Sequence, residues 1–207
     1  MKAKKFRSEV TAPARLFSDK AAWAAWLEKN HRKAGGLWLR LAKKGSPFRS
    51  VSYRDAVEVA LCYGWIDGQK KGESEDLWQQ RFVPRSAKSI WSKINREKAL
   101  ALIKNGQMQR AGLEAVECAR RNGRWESAYD SQSRSVVPSD LQAALTANAA
   151  AQAFFDVLDS ANRYAILFRL QTAKKPETRK NKIQQFVEML AGNEKIHEPR
   201  RPRRARK

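Results

Sequence analysis

WIDGQKKGESEDLWQQRFVPRSAKSIWSKIN, residues 65–95, interleaves large rings, charges and hydroxyls across two alternating segments and a turn. WIDGQKK and LWQQRFVP flank GESED, so this stretch reads as a β-hairpin. Placing Trp65 opposite Val83 sets a register in which Asp67 faces Arg81 and Gln69 faces Gln79. Ile66 and Phe82 then share the other face. Pro84 ends the second strand, since it has no N–H to give a ladder.

Upstream, GLWLRLAKK (36–44) alternates, with Leu37, Leu39 and Leu41 on one side and Trp38 and Arg40 on the other. That is strand patterning, and it supplies the hairpin with a third strand. Helices flank it. SDKAAWAAWLEKNH (18–31) puts Trp23, Trp26 and Leu27 on one stripe, with Asp19 at the favourable N-terminal end. SYRDAVEVALCYG (52–64) starts with a Ser52–Asp55 capping box, buries Ala56, Val59, Ala60 and Tyr63, and stops at Gly64.

Downstream the period becomes helical. Asn95 is expected to cap REKALALIKNG (96–106). QMQRAGLEAVECARRNG (107–123) has a stripe of Met108, Ala111, Ala115, Val116 and Ala119. Four short helices complete the chain, the last with Pro176 in its first turn and Ile183, Phe186, Val187 and Leu190 on one face.

The expected fold is α+β: a small antiparallel sheet packed by helices, followed by a mostly α-helical C-terminal lobe. The expected divisions are a basic extension (1–14), an α+β lobe (15–124), a linker (125–138), a helical lobe (139–193) and a disordered basic tail (194–207). The 207 residues, 42% of them hydrophobic, suffice to build a core of this kind.

Charge bears on partners. Against 21 Asp+Glu stand 42 Lys+Arg, a formal net charge of +21, which favours polyanions such as nucleic acid or an anionic lipid surface. The tail EPRRPRRARK (198–207) concentrates part of it, and KKPETRKNK (174–182) places five basic residues and one acid at the start of the last helix. Lys174, Lys175, Arg179, Arg200, Arg201, Arg203 and Arg204 are therefore the polyanion-binding candidates.

A second reading is a small-ligand site, for a nucleotide or an anion, at 65–95. Arg81 and Arg85 would clamp the anion, Ser89 and Ser92 would donate, and Trp65 or Trp91 would offer a flat face, with Asp67 in the same concavity. The competing explanation is structural: the rings fill a core and the polar groups pair with one another.

No nucleophile–base pair is visible, and His31 and His197 stand apart. Cys62 and Cys118 lie in apolar helical patterns as small hydrophobes, with a disulfide between them left open. No metal or cofactor is expected, since the chain has neither a zinc spacing nor a P-loop, GxGxxG or HExxH motif. No apolar run approaches the roughly 20 residues needed to span a membrane. No uninterrupted h-region follows MKAKKFR either, so the expected location is the cytoplasm.

ALCYGWIDG, RFVPRSAKSIWSKIN, GQMQRAGLEAVECARRNGRW and RYAILFRLQTAKKPETRKNKI occur in this order. With these motifs the chain, over roughly residues 15–192, resembles the YdeI/OmpD-associated family, also labelled bacteriocin-protection proteins. The resemblance implies a role in stress or antimicrobial-peptide protection and an outer-membrane porin as partner, and it brings no reaction or catalytic residue. The family's periplasmic description conflicts with the missing h-region. The combined expectation is a non-enzymatic protection protein that binds an anionic partner through its basic surface.

Overall fold

A computed structural model describes residues 14–198. The chain divides into two compact units. The described part of the first runs to Ile90 and includes Asn95–Glu126; the second takes Trp91–Ile94 and continues from Ser127. The architecture is α+β, with a four-stranded sheet and helices in the first unit and helices in the second.

In the first unit β1 (Arg15–Leu16), β2 (Leu37–Ala42), β3 (Trp65–Gly72) and β4 (Leu77–Pro84) stand in the order β1-β2-β4-β3. β2, β4 and β3 are antiparallel neighbours, as the alternating patterns require, while the two-residue β1 joins β2 in parallel. Helices α1 (Lys20–Asn30) and α2 (Tyr53–Cys62) supply the core on one face. The Asp19 carboxylate accepts from Ala22 N–H at 2.9 Å to start α1. Ser52 and Asp55 start α2 as expected: Ser52 Oγ accepts from Asp55 N–H at 3.1 Å and donates to Asp55 Oδ2 at 2.7 Å. Trp23 is fully buried, and its indole N–H donates to the Ala56 carbonyl at 3.1 Å, tying α1 to α2.

The hairpin register differs from the expected one by a residue. Trp65 lies opposite Pro84, Ile66 opposite Val83 and Asp67 opposite Phe82. The expected alignment would have sent Trp65 and Phe82 to opposite faces, yet both belong to one core, at 1% and 0% exposure. The one-residue shift puts both inside. Past Asp67 a bulge moves the pairing again, so that Lys70 faces Gln80. Gln80, almost fully buried, donates its side-chain N–H to the Gly68 and Gln69 carbonyls at 2.9 and 3.2 Å, satisfying the acceptors that the bulge strands.

Helices α3 (Lys93–Lys104) and α4 (Arg110–Arg121) follow. Asn95 lies inside α3 instead of capping it, because the helix begins two residues earlier, at Lys93, whose N–H donates to the Tyr129 carbonyl at 2.9 Å. On α4 the buried positions are Gly112, Val116 and Ala119; Met108 precedes the helix. Both cysteines are free. Within 125–138, the expected linker, Trp125 and Ala128 are buried.

The second unit contains a short 3-10 turn (Gln132–Arg134) and then α5 (Ser139–Thr146), α6 (Ala149–Val157), α7 (Ser160–Gln171) and α8 (Pro176–Ala191). Its core joins Leu141, Leu145, Phe155, Ile166, Leu170, Phe186 and Leu190. Asn148 and Asp159 cap α6 and α7. The buried Asn162 grips the chain beyond α8: its amide N–H donates to the His197 carbonyl at 3.1 Å, and its carbonyl accepts from His197 N–H at 2.8 Å. Arg179 of α8 forms a two-point pair with Asp140 of α5, at 2.6 and 2.8 Å, and donates to the Leu170 carbonyl of α7 at 2.8 Å.

This three-helix tie has a pH signature. The Arg179 hydrogen bonds hold the Asp140 carboxyl below its usual range. A carboxyl depressed in the folded state stabilises the protein above its unfolded pKa, and that contribution is lost as pH falls through the folded pKa. Stability should therefore decline as pH drops below about 4. In Asp140→Asn the decline should be shallower, as urea titrations at a series of pH values would show.

Candidate anion-binding face

Successive strand residues point to opposite faces. Lys70 and Lys71, neighbours on the edge strand β3, therefore send one ammonium to each side of the sheet. Lys70 Nζ lies 4.4 Å from the ring centre of Trp78, and Lys71 Nζ lies 4.3 Å from that of Trp38. Trp38 also receives the guanidinium of Arg81, at 5.9 Å, from the directly opposite position on β4. All three distances fall within cation–π range.

The surrounding charges are already accounted for in part. On the Trp38 face, Arg40 is neutralised by Glu73, with contacts of 2.5 and 3.1 Å, and Gln79 donates to Glu73 at 3.0 Å. The Arg40 hydrogen bond is the main reason the Glu73 carboxyl sits below its usual range. On the Trp78 side, Tyr53 packs 5.7 Å from the indole and donates its hydroxyl to Asp67 at 2.7 Å. Among the described residues, Lys70, Lys71 and Arg81 form no ion pair, although the charge of Lys71 helps to lower the Glu73 carboxyl.

The small-ligand candidates scatter. Trp65 is core: its indole N–H donates to the His31 carbonyl at 3.1 Å, and its ring meets Trp26 edge-on at 5.9 Å. Asp67 and Arg81 lie on opposite faces, so the expected pair does not form; Asp67 takes Tyr53 and Arg81 takes Trp38. Arg85 donates to the Ile90 carbonyl at 3.2 Å, and Ser89 accepts from Ser86 N–H at 3.0 Å, which builds the turn after β4. Trp91 is buried and belongs to the second unit. Of the polyanion candidates, Lys174 and Lys175 are exposed ahead of α8, and Arg179 is committed to Asp140. Arg200, Arg201, Arg203 and Arg204 lie outside the described residues.

Trp38, Trp78, Lys70 and Lys71 are what the residue-by-residue reading missed. Their signal was present as the polar side of GLWLRLAKK and the paired lysines of the hairpin. Which ring each lysine meets, and on which face, depends on the strand order and the bulge.

Two cavities among the described residues lie away from this face. One of about 330 Å³ in the first unit is lined by Lys20, Glu58, Cys62, Tyr63, Gln107 and Gln109, among others. Burial pushes the Cys62 thiol up, so it stays protonated and carries no nucleophilic thiolate. Burial also pushes Glu58 up, but hydrogen bonds from Lys20 and Arg54 outweigh it and hold the carboxylate ionised. A second cavity, of about 350 Å³, adjoins Asp140, Pro176, Arg179, Lys180 and Ile183, where Asp140 already occupies the guanidinium. None of the small-ligand candidates lines either cavity.

Among the described residues no cluster of His, Cys, Asp or Glu is arranged to hold a metal ion. No described helix is long and apolar enough to cross a membrane.

Comparison with the curated proteins and with the solved structures finds no match. Two families do match. Residues 15–115, which hold the sheet and its flanking helices, match a domain of unknown function, DUF8412. Residues 134–193, which hold α5 to α8, match the family described as Bacteriocin-protection, YdeI or OmpD-Associated. The chain therefore carries, in its C-terminal helices, a domain of the YdeI/OmpD-associated bacteriocin-protection family.

Proposed function

We propose that this is a protection-type protein which works by binding an anionic polymer through its basic surface, without a reaction of its own. The observation that carries this reading is the placement of Lys71 and Arg81 against the Trp38 ring, on one face of the sheet, with no ion pair to a carboxylate. A paired cation must break an ion pair before it can serve a phosphate. A cation resting on a half-buried ring such as Trp38 gives up about 0.5–1 kcal/mol and gains a charge-assisted contact. The formal charge of +21 supplies the long-range attraction that brings a polyanion to this face. A porin partner follows only from the family resemblance, and cell fractionation would decide between cytoplasm and periplasm.

The test is binding at low ionic strength to single-stranded DNA, duplex DNA and anionic vesicles. At least one should bind, and its affinity should fall steeply with salt. About six phosphate contacts would lose roughly a thousandfold between 50 and 200 mM salt. Truncation after Glu198, which keeps the Asn162–His197 clasp, should weaken binding without abolishing it. Absence of binding to all three at low salt would contradict the proposal.

A further inference from the structure

We infer that the Trp38 face of the sheet is a binding site for single-stranded nucleic acid, with Trp38 stacking a base while Lys71 and Arg81 hold the adjoining phosphates. The inference rests on the anionic-polymer reading and names the polymer.

Three features favour a single strand. First, the cations converge on a ring. An anionic lipid headgroup or the outside of a duplex calls for charge alone, because neither offers a π-face at its surface. A single strand presents both bases and phosphates. Second, the ring and cations are set on rigid neighbouring strands. Trp38 and Arg81 are direct cross-strand partners, and Lys71 reaches them from the far side of β4. With strands about 4.8 Å apart, the group spans roughly 10 Å of flat surface, a width suited to a short extended segment. Third, the direct contacts of Glu73 go to Arg40 and Gln79; Lys71 acts on its carboxylate only through space, and neither Lys71 nor Arg81 is tied to it by an ion pair.

Lys71 would have to leave the indole for a base to stack there. An exposed ammonium on a ring is the weaker contact and a base on a ring the stronger. The exchange also frees the ammonium for phosphate. The same lysine thus covers the ring in the free protein and clamps the backbone in the complex.

The experiment compares wild type, Trp38→Leu and Trp38→Phe against labelled oligodeoxythymidylate, a duplex of equal length and anionic vesicles. Trp38→Leu should weaken the single strand by about tenfold, the loss of one stack, and leave duplex and vesicle binding within about twofold. Trp38→Phe should recover part of the loss. In parallel, a 5-bromodeoxyuridine oligonucleotide photo-cross-linked to the unaltered protein should label the peptide containing Trp38, a result independent of how the variants fold. Equal weakening on all three probes, no weakening on the single strand, or cross-links only elsewhere would overturn the assignment. In those cases the anionic-polymer reading survives as long as the wild type still binds a probe at low salt. If it binds none, both readings fall.

Discussion

Gly112→Ala should lower stability by about 3 kcal/mol, at the top of the usual overpacking range. In an ordinary helix this change is favourable by up to about 1 kcal/mol, because alanine loses less backbone entropy than glycine. On α4 that gain is outweighed. A methyl at Gly112 would meet the carbonyl oxygen of Leu61 at 2.7 Å and would press still closer on that of Cys62. Both are backbone atoms at the end of α2, fixed by the helix they terminate. Met108, which also crowds the position, can turn aside; the carbonyls cannot. Gly64, at φ +71° with the Ala111 carbonyl 2.7 Å from where its Cβ would stand, closes the same junction from the other side. Gly35, with open space around it, is the control, and alanine there should change stability by less than about 0.5 kcal/mol. Urea unfolding of the two variants measures the contrast.

Trp65→Ala should cost about 3–5 kcal/mol, the range for truncating a large buried ring. The residue is 1% exposed, packs edge-on against Trp23 and Trp26, and spends its indole N–H on the His31 carbonyl. Trp65→Phe keeps most of the ring and loses the hydrogen bond, so about 1–2 kcal/mol is expected. If Trp65 instead served a ligand, the phenylalanine variant would stay stable and lose binding. Thermal unfolding and oligonucleotide affinity measured on the same preparation separate the two outcomes.

Much of the fold could be read from residues alone, because local rules govern it. Alternation placed β2, the Ser52–Asp55 box placed the start of α2, and Pro176 with its apolar stripe placed α8. What escaped was what depends on distant partners. β1 has only two residues and no pattern of its own; it exists because β2 offers an edge. The hairpin register could not be deduced from the pairing of Asp67 with Arg81, since burial of both Trp65 and Phe82 sets it and an Asp–Arg pair at a surface is worth under about 1 kcal/mol. Once the register moves by one residue, those two side chains part company. The candidate site suffered most for the same reason. A tryptophan in a strand pattern reads equally as core or as surface, and only the strand order shows Trp65 facing in and Trp38 meeting Lys71 across β4.

The proposed site requires that Lys71 and Arg81 touch the bound polymer themselves. The salt dependence of single-strand affinity measures this directly, because each phosphate contact contributes about 0.7 to the slope of log K against log salt. Replacing Lys71 and Arg81 together by glutamine should reduce that slope by about 1.4, with the far-ultraviolet spectrum unchanged. An unchanged slope in the folded double variant would show that the polymer binds elsewhere and would contradict the proposed site.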